Sequence, residues 1–275
     1  MLAAIPQESR PLLKRLGTSR KLAGQPFPAW LQRSSHVELL VMESGMGTER
    51  AWQAARHALS GSSIDLLVSI GFAGSLWPGF RLGQVVWSRE LTAYAEGAGA
   101  LSSVGFRPGS TLGMTDFCRT HEVRPARFLT VDRPRSKAEM AGRSAAEPTV
   151  VEMESTPVAA AAHGRRVPFL GLRAITDEST QDIDWDVDSV MDRTGGLSAA
   201  KVVRAVLRKP SLMRSLFRLR GSSRVAGRTL AAALVALLQL PEEDLRALAE
   251  QLRLQPLPRG GGRQQTVTKV PADHA

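Results

Sequence analysis

The segment Thr149-Val-Val-Glu-Met-Glu-Ser155 joins an apolar strand pattern to an alanine-rich stretch. Thr149–Glu152 predicts a short buried strand, and residues 155–163 predict the helix that follows it. Two carboxyl residues, Glu152 and Glu154, stand at the junction between them. Because ligands of α/β proteins bind at the carboxyl ends of strands, this segment predicts both a fold class and the place of a site.

The same order of strand, glycine-bearing turn and helix occurs upstream. Residues 37–42 predict a buried strand, residues 44–47 a turn, and residues 49–59 a helix with alanines along one side. Residues 64–70 form an almost continuous apolar run, typical of a strand buried on both faces, and residues 71–75 predict a turn after it. Further strands are predicted at residues 84–88, 128–131 and 169–174, the last one ending in Ile175-Thr-Asp177.

This alternation predicts an α/β fold. We expect a three-layer single domain with a central, twisted, mixed and mostly parallel sheet, plus a C-terminal helical extension. Residues 1–198 are predicted to form the α/β domain, residues 199–255 a basic helical extension, and residues 256–275 a disordered tail rich in Pro, Gly, Gln and Arg. Within the extension, helices are predicted at residues 224–240 and from Pro241 onward.

The charge of the chain is uneven. Residues 201–275 carry 14 Lys and Arg against 5 Asp and Glu, so most of the net charge of +10 lies there. No aromatic platform accompanies these arginines, which argues against nucleic acid as a partner. Residues 201–220 mix Val, Leu and Phe with Lys and Arg, a pattern that suits either a solvated helix face or a helix attracted to an anionic membrane surface.

Localisation is expected to be cytoplasmic, with peripheral association at the inner membrane surface as a possibility opened by residues 201–220. The N-terminus has no basic segment followed by an apolar one, as a secretion signal would. The longest strongly apolar stretch, residues 230–240, is too short to cross a bilayer. Cys118 is the single cysteine, so an intrachain disulfide is impossible and a reducing compartment is the default.

Three carboxyl residues at predicted strand ends have suitable chemistry for a site. Glu154 could accept two hydrogen bonds from a vicinal diol. Asp177 could donate a proton if burial raises its pKa. Glu8, just beyond the first apolar run, could act as a base. Each acid taken alone is better explained as a solvated turn residue or a helix cap.

Taken together and in order, these segments resemble nucleoside phosphorylase family I, the superfamily of purine nucleoside phosphorylases and methylthioadenosine/S-adenosylhomocysteine nucleosidases. Val151-Glu-Met-Glu154 is the most specific of them, and the resemblance covers about residues 1 to 195. The other matching segments are Ala4-Ile-Pro-Gln-Glu8, Glu43-Ser-Gly-Met-Gly47, Gly71-Phe-Ala-Gly74, Gly83-Gln-Val-Val-Trp-Ser88, Val167-Pro-Phe169 and Arg173-Ala-Ile-Thr-Asp177.

The resemblance implies roles for individual residues. Asp177 would protonate a purine at N7, and Glu8 would activate water. Glu154 would hold the ribose 2′- and 3′-hydroxyls, with Met153 packed on the sugar. Backbone at residues 73–74 would lie against the nucleoside, and residues 128–131 near the base. The predicted substrate-binding residues are therefore Gly47, Phe72, Ala73, Gly74, Val131, Glu152, Met153 and Glu154.

The sequence departs from the family pattern at two places. Phe72 replaces the serine that helps to hold phosphate in the phosphorylases, and this favours hydrolysis over phosphorolysis. Residues 130–134 differ from the corresponding segment of the typical nucleosidases and look more like a branch that includes the hopanoid-pathway nucleoside phosphorylases. The substrate could thus differ from methylthioadenosine.

The resulting expectation is a purine nucleoside hydrolase that uses no metal and no organic cofactor, acts on a small nucleoside, and forms a homo-oligomer, most simply a dimer. Two alternatives stay open. One is a phosphorylase or nucleosidase for a nucleoside-lipid such as adenosylhopane in hopanoid synthesis. The other is a nucleoside-binding protein without catalytic activity.

Overall fold

A computed structural model describes residues 1–61, 63–94, 105–110, 112–133, 135–140, 147–179 and 211–257. The helices are α1 (Pro6–Leu16), α2 (Thr48–Gly61), α3 (Leu112–His121), α4 (Lys137–Met140), α5 (Ser155–Gly164), α6 (Ser211–Leu238) and α7 (Glu242–Gln251). The strands are β1 (Leu2–Ala3), β2 (Arg20–Leu22), β3 (Ala29–Arg33), β4 (Glu38–Glu43), β5 (Leu67–Ser75), β6 (Val85–Tyr94), β7 (Gly105–Pro108), β8 (Arg124–Val131), β9 (Thr149–Glu152), β10 (Phe169–Asp177) and β11 (Leu254–Pro256).

All eleven strands belong to one mixed sheet, which confirms the predicted α/β class. Its centre is parallel: β4, β1, β5 and β10 run in the same direction. Strand β5 also pairs with β9, and the pairs β10–β6, β6–β8 and β8–β9 complete a closed ring of five strands. Antiparallel strands lie outside this ring, with β3 and β2 beside β4, and β7 and β11 beside β6.

Residues 71–75 are not the turn that their glycines suggest. They continue β5, and they pair with β10 on one side and β9 on the other. In the same way, residues 175–177 continue β10 instead of leaving the sheet. The ring of five strands can close because β5 and β10 pair with each other, and because β5 also pairs with β9 and β10 with β6.

Helices cover both faces of the sheet, so the three layers are confirmed. On one face, alanines of α2 and α5 pack together with strand residues such as Met42 and Phe169 in a single apolar cluster. On the other face, α1 packs against β5, and α6 packs against β5, β6 and β10. Helix α3 packs against α6 and α7 in the same layer. The small side chains of α2 and α5 let these helices lie close to the sheet.

The two C-terminal helices are built into this second layer. α6 contains the predicted helix at residues 224–240 up to Leu238, and α7 follows Pro241 as predicted. Leu230, Leu234 and Leu237 of α6 are buried against the sheet, and Leu248 of α7 belongs to the same cluster. The domain boundary predicted between residues 198 and 199 stays a prediction, because residues 180–210 lie outside the described part of the chain.

Two other predicted segments lie largely outside the described residues. Of the predicted membrane-contacting segment 201–220, the structure describes only the helical backbone of residues 211–220. Of the predicted tail, Pro256 ends β11 beside β7, and residues 258–275 are outside. Among described helices, none alone is long and apolar enough to span a bilayer; residues 221–238 and 242–251 reach that length and composition only as a pair bent by 108°.

Candidate functional site

Glu8 lies in the first turn of α1, because this helix begins at Pro6. Proline is favoured there because the first helical positions need no N–H donor. The Glu8 carboxylate accepts three backbone hydrogen bonds: Oε2 from the N–H groups of Ala4 (2.8 Å) and Ile5 (3.1 Å), and Oε1 from that of Phe72 (3.0 Å). These bonds fix the carboxylate between α1 and β5.

The environment of Glu8 raises its pKa above the ordinary value. Burial is the main cause, since it disfavours the charged form. The nearby Arg173 guanidinium and the three backbone N–H groups act in the opposite direction and offset only part of this effect. Glu8 is therefore a buried carboxyl group that takes up a proton more readily than an exposed one.

Glu154 occupies the N-cap position of α5, directly after β9. Its Oε1 accepts a hydrogen bond of 3.0 Å from the N–H of Gly47, in the turn after β4. Burial raises the pKa of Glu154 to about 7, and the negative charges of Glu152 and Glu8 add to the rise, whereas Arg173 and the Gly47 N–H oppose it. Glu8 and Glu154 thus lie close enough to influence each other.

Glu152 is fully engaged with protein partners. Its Oε2 accepts hydrogen bonds from Arg173 Nη2 (2.8 Å), from the Ser155 N–H (2.7 Å) and Oγ (2.9 Å), and from the Glu154 N–H (2.9 Å). Its Oε1 accepts one from Thr130 Oγ1. Burial favours a higher pKa, but the Arg173 charge and these hydrogen bonds outweigh it, and the pKa of Glu152 is lowered. The carboxylate therefore shapes the β9–α5 junction.

Asp177 ends β10 and lies against Gly74 of β5. A methyl group built on Gly74 would come within 2.7 Å of Asp177 Oδ2, so only glycine leaves room for this carboxyl group. Gly71 has the same relation to Glu8, since its methyl group would lie 2.7 Å from Glu8 Oε1. The two glycines of the segment 71–74 thus make space for two different acids. The Thr176 hydroxyl donates to Asp177 Oδ1 at 3.0 Å.

The sheet register brings these acids to one place. Asp177 of β10 is paired with Gly74 of β5, and Gly74 is paired with Val151 of β9, next to Glu152. Because neighbouring strands lie about 4.8 Å apart, this row spans roughly 10 Å. Glu8 contacts the same strand through the hydrogen bond that its carboxylate accepts from the Phe72 N–H. Glu8 and Asp177 therefore both lie against residues 71–74, and Glu154 lies close enough to Glu8 for the charge of Glu8 to raise its pKa.

The remaining predicted residues differ in their position. Ala73 is buried, and its carbonyl accepts a hydrogen bond of 3.4 Å from Thr176 Oγ1. Val131 and Met153 share a small apolar cluster, and Met153 directly precedes Glu154. Phe72 is half-buried, and its ring packs with the cluster on the α1 and α6 side of the sheet, so it does not lie with Val131 and Met153.

Sequence reasoning gave no role to Arg173, which organises the site electrostatically. Its guanidinium reaches Glu152, Ser69 Oγ (3.1 Å) and Ser155 Oγ (2.9 Å), and its side chain is 1% exposed. The signal was present: a charged residue inside the apolar strand at residues 169–174 must find a partner, because an unpaired buried charge is prohibitively costly. In the described part of the chain, no group of three or more His, Cys, Asp or Glu is arranged to hold a metal ion.

Three comparisons relate this chain to known proteins. The family model of the phosphorylase superfamily matches residues 4–208. This confirms the resemblance drawn from the sequence motifs.

Individual relatives are distant. The methylthioadenosine/S-adenosylhomocysteine nucleosidase of Shewanella loihica is 26% identical over 187 residues, 60% of this chain and 80% of the relative. The aminodeoxyfutalosine nucleosidase of Campylobacter jejuni is 22% identical over 223 residues, 74% of this chain and 96% of the relative. The solved nucleosidase of Neisseria meningitidis, in complex with methylthio-immucillin-A, superposes with a TM-score of 0.62 at 18% identity, over 90% of this chain and 97% of its own. The structural likeness shows the shared fold.

Proposed function

The chain belongs to the phosphorylase superfamily, and from that premise we propose that it hydrolyses the N-glycosidic bond of a nucleoside, with a purine as the base. The observation that carries the proposal is that Glu8 and Asp177 both lie against residues 71–74 of β5, while Glu154 lies close enough to Glu8 for the charge of Glu8 to raise its pKa. These are the three acids that the family motifs mark as base, ribose anchor and proton donor.

Each acid has an environment that suits its proposed task. Glu8 removes a proton from water, and a pKa raised by burial makes its carboxylate a stronger base near neutral pH. Glu154 accepts hydrogen bonds from the ribose hydroxyls once it is ionised. Asp177, the last residue of β10, protonates the base.

The reaction balances with these groups alone. The water oxygen forms a bond to C1′ as the bond from C1′ to the base nitrogen breaks. The proton of the water passes to Glu8, and the base receives a proton from Asp177 at N7. Bringing an acid and a base to fixed places on either side of a glycosidic bond is the general solution for this type of cleavage.

The names of the relatives support hydrolysis. The Shewanella loihica and Campylobacter jejuni proteins are both nucleosidases, and the Neisseria meningitidis structure holds an analogue of a nucleoside. The names of these relatives give different nucleosides, so the substrate of this protein, including its 5′ substituent, has to be found by experiment.

The test measures release of free base from a panel of nucleosides, in the presence and absence of phosphate. The panel contains methylthioadenosine, S-adenosylhomocysteine, inosine and an adenosine with an apolar chain at the 5′ position. Asp177→Asn should lower kcat by at least about 100-fold, the range in which general acid catalysis contributes. Glu178→Gln is the matched control, because Glu178 is the next residue and its carboxylate accepts a hydrogen bond of 3.1 Å from the Leu82 N–H, outside residues 71–74.

The outcomes separate the alternatives. Release without phosphate supports the proposal. Release that requires phosphate would replace hydrolysis by phosphorolysis, and release from the apolar substrate alone would assign a nucleoside-lipid. Binding of nucleosides without any release would favour the non-catalytic reading and sink the proposal.

A further inference from the structure

Helix α6 has two glycines among its described side-chain positions that differ sharply in their surroundings. Glycine destabilises a helix interior relative to alanine, so a glycine that is kept there calls for a reason. At Gly221 an added methyl group would meet no atom of the described residues within 4 Å. At Gly227 it would lie 3.1 Å from the Gln7 carbonyl oxygen, 3.1 Å from Pro11 Cγ and 3.7 Å from Phe72 Cζ.

The neighbours of Gly227 cannot move aside independently. The Gln7 oxygen is a main-chain atom, and the Pro11 ring is closed on its own backbone. Proline also has no N–H to donate to the carbonyl four residues earlier, which here is that of Gln7. The two helices therefore approach each other at a place where α1 presents a carbonyl and a rigid ring, and α6 presents no side chain.

These same atoms adjoin the groups that hold Glu8. Gln7 precedes Glu8 in the chain, and Phe72 donates its N–H to Glu8 Oε1. We propose that Gly227 is a positioning residue: the close contact of α6 with the first turn of α1 at Gly227 sets the place of the Glu8 carboxylate. This inference rests on the proposed function for the role of Glu8 as base. It assigns a functional contact to α6, which begins after the matched residues 4–208.

A side chain at position 227 would push the first turn of α1 outward by a few tenths of an ångström. Glu8 would then lose part of its hydrogen bonding to Ala4, Ile5 and Phe72. Those N–H groups favour the ionised carboxylate, so its proton affinity should rise when they are weakened. The base would be both misplaced and protonated over a wider pH range.

The experiment compares Gly227→Ala with Gly221→Ala, two identical changes in the same helix. For each we measure kcat and KM of base release against pH, and we titrate the Glu8 carboxyl by ¹³C NMR with glutamate-labelled protein, assigned with Glu8→Gln. Gly227→Ala should lower kcat by about tenfold, a share of the roughly 100-fold cost of a 1 Å misplacement. Its acidic limb and its Glu8 titration should both move to higher pH, while KM stays unchanged. Gly221→Ala should match the parent protein.

A second variant guards against misfolding. Pro11→Ala in the Gly227→Ala background removes the ring that the new methyl group meets, and it should restore part of kcat and of the Glu8 titration. If Gly227→Ala does not fold, this double variant is compared with the parent instead. If neither folds, Gly227 serves folding and the positioning role is rejected.

The result is distinguishable from the test of the proposed function. Base release by the parent protein, with an unshifted Glu8 titration in Gly227→Ala, would overturn the positioning role and leave the function intact. A parent protein without any base release, whose Glu8 titration still shifts in Gly227→Ala and not in Gly221→Ala, would keep the positioning contact and reject the function. Equal kcat values and equal Glu8 titrations in Gly227→Ala and Gly221→Ala would also overturn the positioning role of Gly227.

Discussion

Arg173 Nη2 and Glu152 Oε2 form an ion pair of 2.8 Å, and their side chains are 1% and 0% exposed. The pair joins β10 to the junction of β9 and α5. Glu152 in turn accepts the backbone N–H of Glu154, at 2.9 Å. The buried ion pair thus helps to fix the backbone of Glu154, the proposed ribose anchor. Loss of either partner would leave an uncompensated charge in the core.

The first prediction concerns this pair. Arg173→Met keeps the length of the side chain but leaves the Glu152 carboxylate without its counter-charge. Breaking a buried pair in this way costs about 3–5 kcal/mol of unfolding free energy. Urea denaturation at neutral pH measures it.

Arg246→Met is the matched control for that change. Arg246 also forms an ion pair, with Glu242, but its side chain is 77% exposed. Surface pairs of this kind contribute little to stability. A loss of stability in Arg246→Met as large as in Arg173→Met would show that burial of the Arg173 pair is not what matters.

The second prediction follows from the raised pKa of Glu154. In the folded protein this pKa is about 7, above the ordinary value of 4.5. The folded state therefore favours the neutral carboxyl group, and the stability gained in this way is present below pH 4.5 and lost as the pH rises through 7. We expect a loss of about 2 kcal/mol, less than the full shift implies because Glu154 is only half-buried.

Glu154→Gln checks this sign, because glutamine does not titrate. The unfolding free energy of the parent protein, relative to that of Glu154→Gln, should fall between about pH 4.5 and about pH 8. Parallel pH profiles of the two proteins would mean that Glu154 does not carry the shift.

The third prediction concerns binding by the same residue. A carboxylate accepts hydrogen bonds from two hydroxyl groups, whereas the protonated form loses part of this capacity. Affinity for a nucleoside analogue that cannot be cleaved should therefore rise about tenfold from about pH 6 to about pH 8, the value of one stronger hydrogen bond to a charged group. Isothermal titration calorimetry should show a flat profile for Glu154→Gln.

The parts of the fold that depend on local pattern were predictable. Thr149–Glu152 has the predicted bounds because an apolar run of this length ends at an acid and a helix start. Residues 71–75 were mistaken for a turn, since two glycines in five residues resemble one. Only pairing with β9 and β10, which come much later in the chain, makes them a strand.

The candidate site divides in the same way. Glu8, Glu154 and Asp177 were predicted because they fall in motifs. Their partners were not, because each contact joins distant parts of the chain; the hydrogen bond from Gly47 to Glu154 spans 107 residues. Gly227 could not be predicted, since a glycine in a helical sequence pattern indicates only a less stable helix. Its role depends on the contact with α1, which the sequence does not show.

The fourth prediction tests the space beside the acids. Gly71→Ala and Gly74→Ala would each place a methyl group 2.7 Å from a carboxylate oxygen, of Glu8 and Asp177 respectively. Each should lower kcat by about 100-fold, as displacement of a catalytic group by about 1 Å does. Gly164→Ala is the control, because a methyl group there meets nothing within 4 Å in the part of the chain that the structure describes. Retention of kcat in both strand variants would mean that the two acids are free to move.

The last prediction concerns Phe72, where the family has a serine. Its ring lies between β5 and the helices, 3.7 Å from the methyl position of Gly227. Phe72→Ser should then lose about 2 kcal/mol of stability, less than the 3–5 kcal/mol of a fully buried phenylalanine. Phe72→Leu, which keeps the apolar contact, should lose much less. Because the ring fills the helix side of the strand, the serine variant should still release base without phosphate. If phosphate accelerates release by Phe72→Ser and not by Phe72→Leu, the ring blocks a phosphate site, and the helix-side contact is not its main role.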